Sequence, residues 1–200
     1  MNNVKFGKFL IVVNAFVPLV LIGYDALNGG LGANPVEFFL RTTGVIAFVF
    51  LIISLSVTPI RKITGWNLAI KYRRMIGLFA FFYACLHLIT YSIFDKSLSL
   101  PDIAVDIIQR PFILVGMITF VILLLLAATS TNGMIKRMGG KNWARLHRWV
   151  YAAGILAAIH FWMIVKSDIF YPAIFAAVVA IFLGYRIFAA AKTKLTAQNK

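Results

Sequence analysis

Carboxylates are scarce in this chain: six Asp and Glu in 200 residues, against twenty Lys and Arg. None of the six falls inside a long apolar run. That distribution argues against a proton-coupled transporter, which places acids along its pathway. Cysteine is scarcer still. The single Cys85 excludes an intrachain disulfide, a cysteine-ligated cluster and a cysteine zinc site. No G-x-G-x-x-G or P-loop occurs, and no loop is long enough for a second domain, so the chain has no nucleotide-binding domain of its own. Histidine is limited to His87, His147 and His160.

What is abundant is apolar. Hydrophobic residues make up 62% of the chain and charged residues only 13%, whereas soluble domains are about half apolar and a quarter charged. Several runs reach the roughly 20 residues that cross a bilayer as a helix. The first run is followed by Asp25, Gly29, Gly30 and Asn34 without an A-x-A-like site. It is therefore expected to stay as a span and not to be cleaved as a signal peptide. The fold class expected is all-α, a single domain over residues 1–200 forming a polytopic bundle of six transmembrane helices. The spans run over Phe9–Tyr24, Thr42–Ile60, Arg74–Phe94, Phe112–Thr129, Arg148–Val165 and Ile169–Ala189.

The net charge of +14 does not indicate nucleic acid, because the basic residues lie at span ends and not in one patch or arm. With six crossings, one side holds sixteen of the twenty basic residues. The other holds Arg41, Lys96, Arg110 and Lys166 together with all six acids: Asp25, Glu37, Asp95, Asp102, Asp106 and Asp168. The positive-inside bias makes the basic side cytoplasmic, with both termini there. Trp66, Trp143 and Trp149 fall at expected interfaces. Pro59 is expected to close the second span, Pro18 to kink the first, and Pro111 and Pro172 to sit near helix starts. Gly139-Gly140 reads as a turn with Asn142 as the following N-cap. Asp102–Gln109 reads as a short surface helix on the outer side.

Ionisable groups inside hydrocarbon are costly and therefore mark functional sites. His87 lies thirteen residues past Arg74, and His160 twelve past Arg148, on two spans running the same way. At about 1.5 Å per residue both are about 18–20 Å beyond the arginines, in the outer half of a core about 30 Å thick. Two neutral imidazoles at matched depth suit the axial positions of one haem. A lone membrane histidine is otherwise a hydrogen-bonded packing residue. Ala84 and Ala80 precede His87 by three and seven residues, and Ala157 and Ala153 precede His160 likewise. Such positions clear a slot for a flat macrocycle, or serve small-residue helix packing.

His147 sits at the cytoplasmic interface. There it is either a solvated histidine or a ligand of a second, inner haem. The corresponding position on the third span, fourteen before His87, is Arg73, so the partner ligand there is open, weak or unusual, with Met75 and Tyr72 as candidates. Arg73, Arg74, Arg145 and Arg148 suit haem propionates or lipid phosphates, and Arg41 and Arg110 suit an outer haem or an acidic partner surface.

The segment Arg73-Arg74-Met75-Ile76-Gly77-Leu78, with Leu86-His87-Leu88 and Tyr91, carries a family resemblance. So do Arg110-Pro111 to Gly116, Ala128-Thr129-Ser130-Thr131, Leu146-His147 with Val150-Tyr151, and Ile159-His160. Gly30-Leu31-Gly32-Ala33 with Pro35 and Thr58-Pro59 also fit. Over nearly its whole length the chain resembles the MsrQ family, haem-binding membrane subunits of bacterial periplasmic methionine-sulfoxide reductase systems. More distantly it is similar to the ferric-reductase and NADPH-oxidase transmembrane domain. The resemblance implies a b-type haem conduit in the bacterial inner membrane, with one or two haems. Electrons would pass from a quinol or a cytoplasmic flavin reductase to a periplasmic molybdopterin partner of MsrP type, which performs the catalysis. It implies haem-ligand roles for His87, His147 and His160, and FMN as a further cofactor with no site assignable here. Arg73 stands where related oxidases have a fourth histidine. A six-span transporter or channel with its histidines along a path or on a metal is the alternative.

Overall fold

The computed structural model of the protein describes residues 3–165 and 167–198; Lys166 and Lys200, which enter the charge count above, lie outside them. The described residues contain no strand. Among the described residues, five helices are long and apolar enough to cross a membrane. The chain folds as two compact units, Met1–Ser54 with Leu68–Pro111, and Leu55–Asn67 with Phe112–Lys200.

In the first unit, α1 (Asn3–Leu27) is mostly apolar, carries Lys5 and Lys8 near its start, and holds Pro18 in its interior. The α2 helix (Pro35–Thr64) starts where Asn34 Oδ1 accepts the Glu37 amide at 3.1 Å, with Pro35 at the position that needs no N–H. It passes into the second unit and ends just before Gly65, whose φ of +73° is a backbone conformation that favours glycine. A 3-10 turn (Asn67–Ala69) leads into α3 (Ile70–Thr90), which closes in a π turn, Tyr91–Asp95. The expected surface helix is α4 (Leu100–Gln109), capped by Ser99. Tyr83 is fully buried and donates its hydroxyl to Ala15 O of α1 at 2.5 Å, three residues before Pro18.

The α5 helix (Pro111–Ala128) starts on proline, as expected, and belongs to the second unit from Phe112 on. Two short helices, α6 (Asn132–Met138) and α7 (Gly140–Leu146), precede a 3-10 turn at His147–Trp149. Then come α8 (Val150–Ile164) and α9 (Phe170–Gln198). The segment expected as the fifth span is carried by α8, whose 15 residues are fewer than the roughly 20 of a straight crossing; helical residues of α7 and the 3-10 turn precede it directly.

Two local expectations are corrected. Pro59 does not close its helix: α2 continues to Thr64. Proline lacks the N–H that would bond the carbonyl four residues earlier, here Leu55 O. Arg186 on α9 replaces that donor, with Nη2 at 2.8 Å from Leu55 O, so the helix survives its proline. Asn142 is not the N-cap of the following helix. Gly139, at φ +75°, is the cap residue, and Asn142 Nδ2 donates to Met138 O.

Candidate functional site

His87, on α3, is half-buried, and its Nδ1 lies 2.9 Å from Leu40 O near the start of α2. One turn further along α2 is Gly44. A Cβ there would stand 2.9 Å from His87 Nδ1 and 3.0 Å from Cε1, so the ring edge occupies the place of a side chain. A carbonyl oxygen has two lone pairs and no proton. It can take the imidazole N–H beside its helical bond, and Nδ1 must be the donor. In the neutral ring this puts the lone pair on Nε2.

The second unit holds His160 in the same manner. This residue, on α8, has Nδ1 2.7 Å from Phe112 O in the first turn of α5. One turn along α5 is Gly116, where a Cβ would meet His160 Cε1 at 2.7 Å and Nδ1 at 2.9 Å. The lone pair again falls on Nε2 by the same reasoning. Metal-bound histidines are commonly oriented by such a bond from the other ring nitrogen to a carbonyl. Both rings therefore fit axial ligation of a haem iron. The alanines seven residues earlier, Ala80 and Ala153, are fully buried, while Ala84 and Ala157 stay half-buried.

His147 is held differently. Its Nε2 lies 3.1 Å from Thr129 Oγ1, and its ring stacks on Trp143 at 3.9 Å between centroids. Trp143 Nε1 donates to Thr129 O at 2.9 Å. The one proton of the Thr129 hydroxyl goes to Leu125 O at 2.7 Å. The hydroxyl thus accepts from His147 Nε2, the reverse tautomer of the other two histidines.

The arginines divide by position. Arg73 is half-buried and Arg74 exposed in the first turn of α3. Tyr72, weighed above as an inner ligand, lies against Gly7 of α1, where a Cβ would stand 2.5 Å from its hydroxyl oxygen. Arg41 pairs with Glu37 at 2.6 Å, and Arg110 reaches Asp106 at 3.4 Å. Asp106 also accepts from Lys96 at 2.6 Å and from the Tyr91 hydroxyl at 2.9 Å. The Lys96 bond holds its carboxyl below the usual carboxylate range against the opposing effect of desolvation, with further help from Tyr91 and Arg110. Among the described residues no group of three or more His, Cys, Asp or Glu could hold a metal ion.

Three features escaped the sequence reading. Arg186, counted there only as a basic residue, also donates to the Tyr151 hydroxyl at 2.8 Å and lies over its ring. Its signal was Pro59, which leaves a carbonyl needing a donor. The carbonyls of Leu40 and Phe112 carry no signal, because every residue has one. Gly44 and Gly116 carry a weak one: a glycine inside a helix costs about 1 kcal/mol against alanine, so it calls for a packing reason.

The ferric reductase like transmembrane component family matches residues 43–158, a window that includes Gly44, His87, Gly116 and His147 and ends just before His160. The protein-methionine-sulfoxide reductase heme-binding subunit MsrQ of Rhodospirillum rubrum is 42% identical over 190 residues, 95% of this chain and 91% of that protein. That of Herminiimonas arsenicoxydans is 45% identical over 183 residues, 90% of this chain and 84% of that protein. The magnetosome protein MamZ of Magnetospirillum gryphiswaldense is 48% identical over 187 residues, 90% of this chain but 29% of MamZ. With matches of this identity and coverage joined to two carbonyl-anchored histidines, the chain belongs to the ferric reductase-like transmembrane family and, within it, to the MsrQ family.

Proposed function

We propose that this chain is the haem-carrying membrane subunit of a protein-methionine-sulfoxide reductase system, conducting electrons across the bacterial inner membrane to a periplasmic molybdopterin partner of MsrP type. The observation that carries the proposal is the anchoring of His87 and His160 through Nδ1, which leaves Nε2 as the basic nitrogen in both. Their matched depth along the sequence supports a role as the two axial ligands of one b-type haem. Haem, when bound, supplies a one-electron carrier in a layer that no ion crosses cheaply.

The residues of the chain do the rest. Six crossings with cytoplasmic termini are supported by the charge asymmetry, with α8 and the helical turns before it as the fifth. Arg73 and Arg74, at the α3 start, suit the propionates of an inner haem. His147 is the proposed ligand of that haem; its Nε2 would hold iron only once it had released Thr129 and the ring proton had moved to Nδ1. The basic face suits a quinol or a docking flavin reductase as donor, and FMN enters through the family likeness alone. A reduced-minus-oxidised spectrum of the detergent-purified chain tests the assignment. A haem α-band lost in His87→Ala and in His160→Ala is expected. A colourless wild type would reject it in favour of a transporter or scaffold.

A further inference from the structure

The second half of the histidine-holding apparatus repeats the first. Leu40 and Gly44 are four residues apart on α2, and Phe112 and Gly116 are four apart on α5. The carbonyl-to-histidine separations are 47 and 48 residues. Gly44-Val45-Ile46-Ala47-Phe48 and Gly116-Met117-Ile118-Thr119-Phe120 share glycine, isoleucine and phenylalanine in register. Both histidines follow alanines at the same two offsets. Other glycines in long helices differ: Gly23 and Gly184 meet nothing within 4 Å of a built Cβ, and the close neighbours of Gly7 and Gly154 are a tyrosine and a leucine and not an imidazole.

We propose that Gly44 and Gly116 are positioning residues, each seating one imidazole edge so that its Nδ1–H reaches the carbonyl one turn earlier and its Nε2 is made a stronger iron donor. A methyl group at 2.7–2.9 Å from the ring atoms cannot be accommodated, and a planar ring cannot yield without tilting its N–H away from the carbonyl. A carbonyl-bonded imidazole is the more basic ligand, so loosening the bond weakens the hold on ferric iron and raises the reduction potential. The consequence for iron rests on the haem assignment above; the seating of the rings does not.

The test uses the full chain in nanodiscs, labelled with 15N-histidine and reduced with dithionite, with Gly44→Ala and Gly116→Ala compared against Gly23→Ala and Gly184→Ala. The expected result is local. Gly44→Ala removes the hydrogen-bonded Nδ1–H resonance of His87 and leaves that of His160, and Gly116→Ala does the reverse. Each also raises the midpoint potential and weakens haem retention about 10–100-fold, the usual effect of losing a partner that orients a ligand. The Gly23 and Gly184 variants match wild type. Resonances and potential unchanged in both test variants, or loss of the same single Nδ1–H resonance in both, would overturn the proposal. If His87→Ala and His160→Ala keep the haem band, the haem assignment fails by itself, and the two Nδ1–H resonances still decide the positioning role.

Discussion

Set side by side, the two units anchor His87 and His160 with the same pair of groups, a helix carbonyl and a glycine one turn on. His147 instead has a hydroxyl and an indole. An apolar segment and a helix end thus satisfy an imidazole by different means. Within a helix lined by aliphatic side chains the polar atoms within reach belong to the neighbouring backbone, so a carbonyl takes the N–H and a missing side chain makes room. Where helices end, side chains such as Thr129 and Trp143 are at hand, and they select the other tautomer. One arrangement leaves Nε2 basic; the other spends Nε2 on a hydroxyl.

The comparison is broken most severely at the two matched histidines. His87→Ala and His160→Ala should each abolish the same α-band. If one variant keeps full absorbance while the other loses that band, the two anchoring sites are not functional equivalents. His147→Ala should leave that band in place and lower the pyridine-haemochrome count by one haem per chain, whereas an unchanged count would remove the inner site. Next comes Arg186→Leu, which strands Leu55 O beneath Pro59. Leaving a buried acceptor unsatisfied costs about 1–3 kcal/mol, read as a fall in thermal stability in detergent. In a Pro59→Ala background the missing N–H returns and the cost should shrink; equal costs in both backgrounds would show that Arg186 does not replace the proline's donor.

The smallest expected effect concerns α4, the helix that Asp106 ties down in the first unit. Because its folded carboxyl titrates below the ordinary value of 3.8, the ionised form stabilises the native state. That contribution is complete above about pH 4 and is lost only as pH falls through the lower folded value. Hydrogen-exchange protection of α4 should therefore be flat from neutral pH to about 4 and decline below it. In Asp106→Asn it should be lower at neutral pH and lack that acid decline. Identical profiles would exclude the Lys96–Asp106 pair as a fastener of α4.

Much of the fold was legible because membrane helices announce themselves by composition over a local window. Pro111 and Pro172 mark helix starts through a rule that involves only their near neighbours. Pro59 misled for an equally physical reason: a proline stops a helix only when its freed carbonyl finds no donor, and the donor here comes from 131 residues away. Asn142 misled because Gly139 can adopt the left-handed backbone that places the cap three residues earlier. His87, His147 and His160 stood out by scarcity, but their tautomers could not be read, since each depends on which atom of another helix faces the ring.

Composition and spacing were enough for a helical membrane chain, its uneven charge, and the three imidazoles as candidate ligands. Those are properties of composition and local period, additive along the chain and blind to how helices turn about their axes. The tertiary structure alone decided that Leu40 and Phe112 take the histidine protons, that Gly44 and Gly116 make the room, and that Arg186 answers Pro59. Each of those contacts depends on the rotation and register of one helix against another, which no stretch of either helix encodes alone.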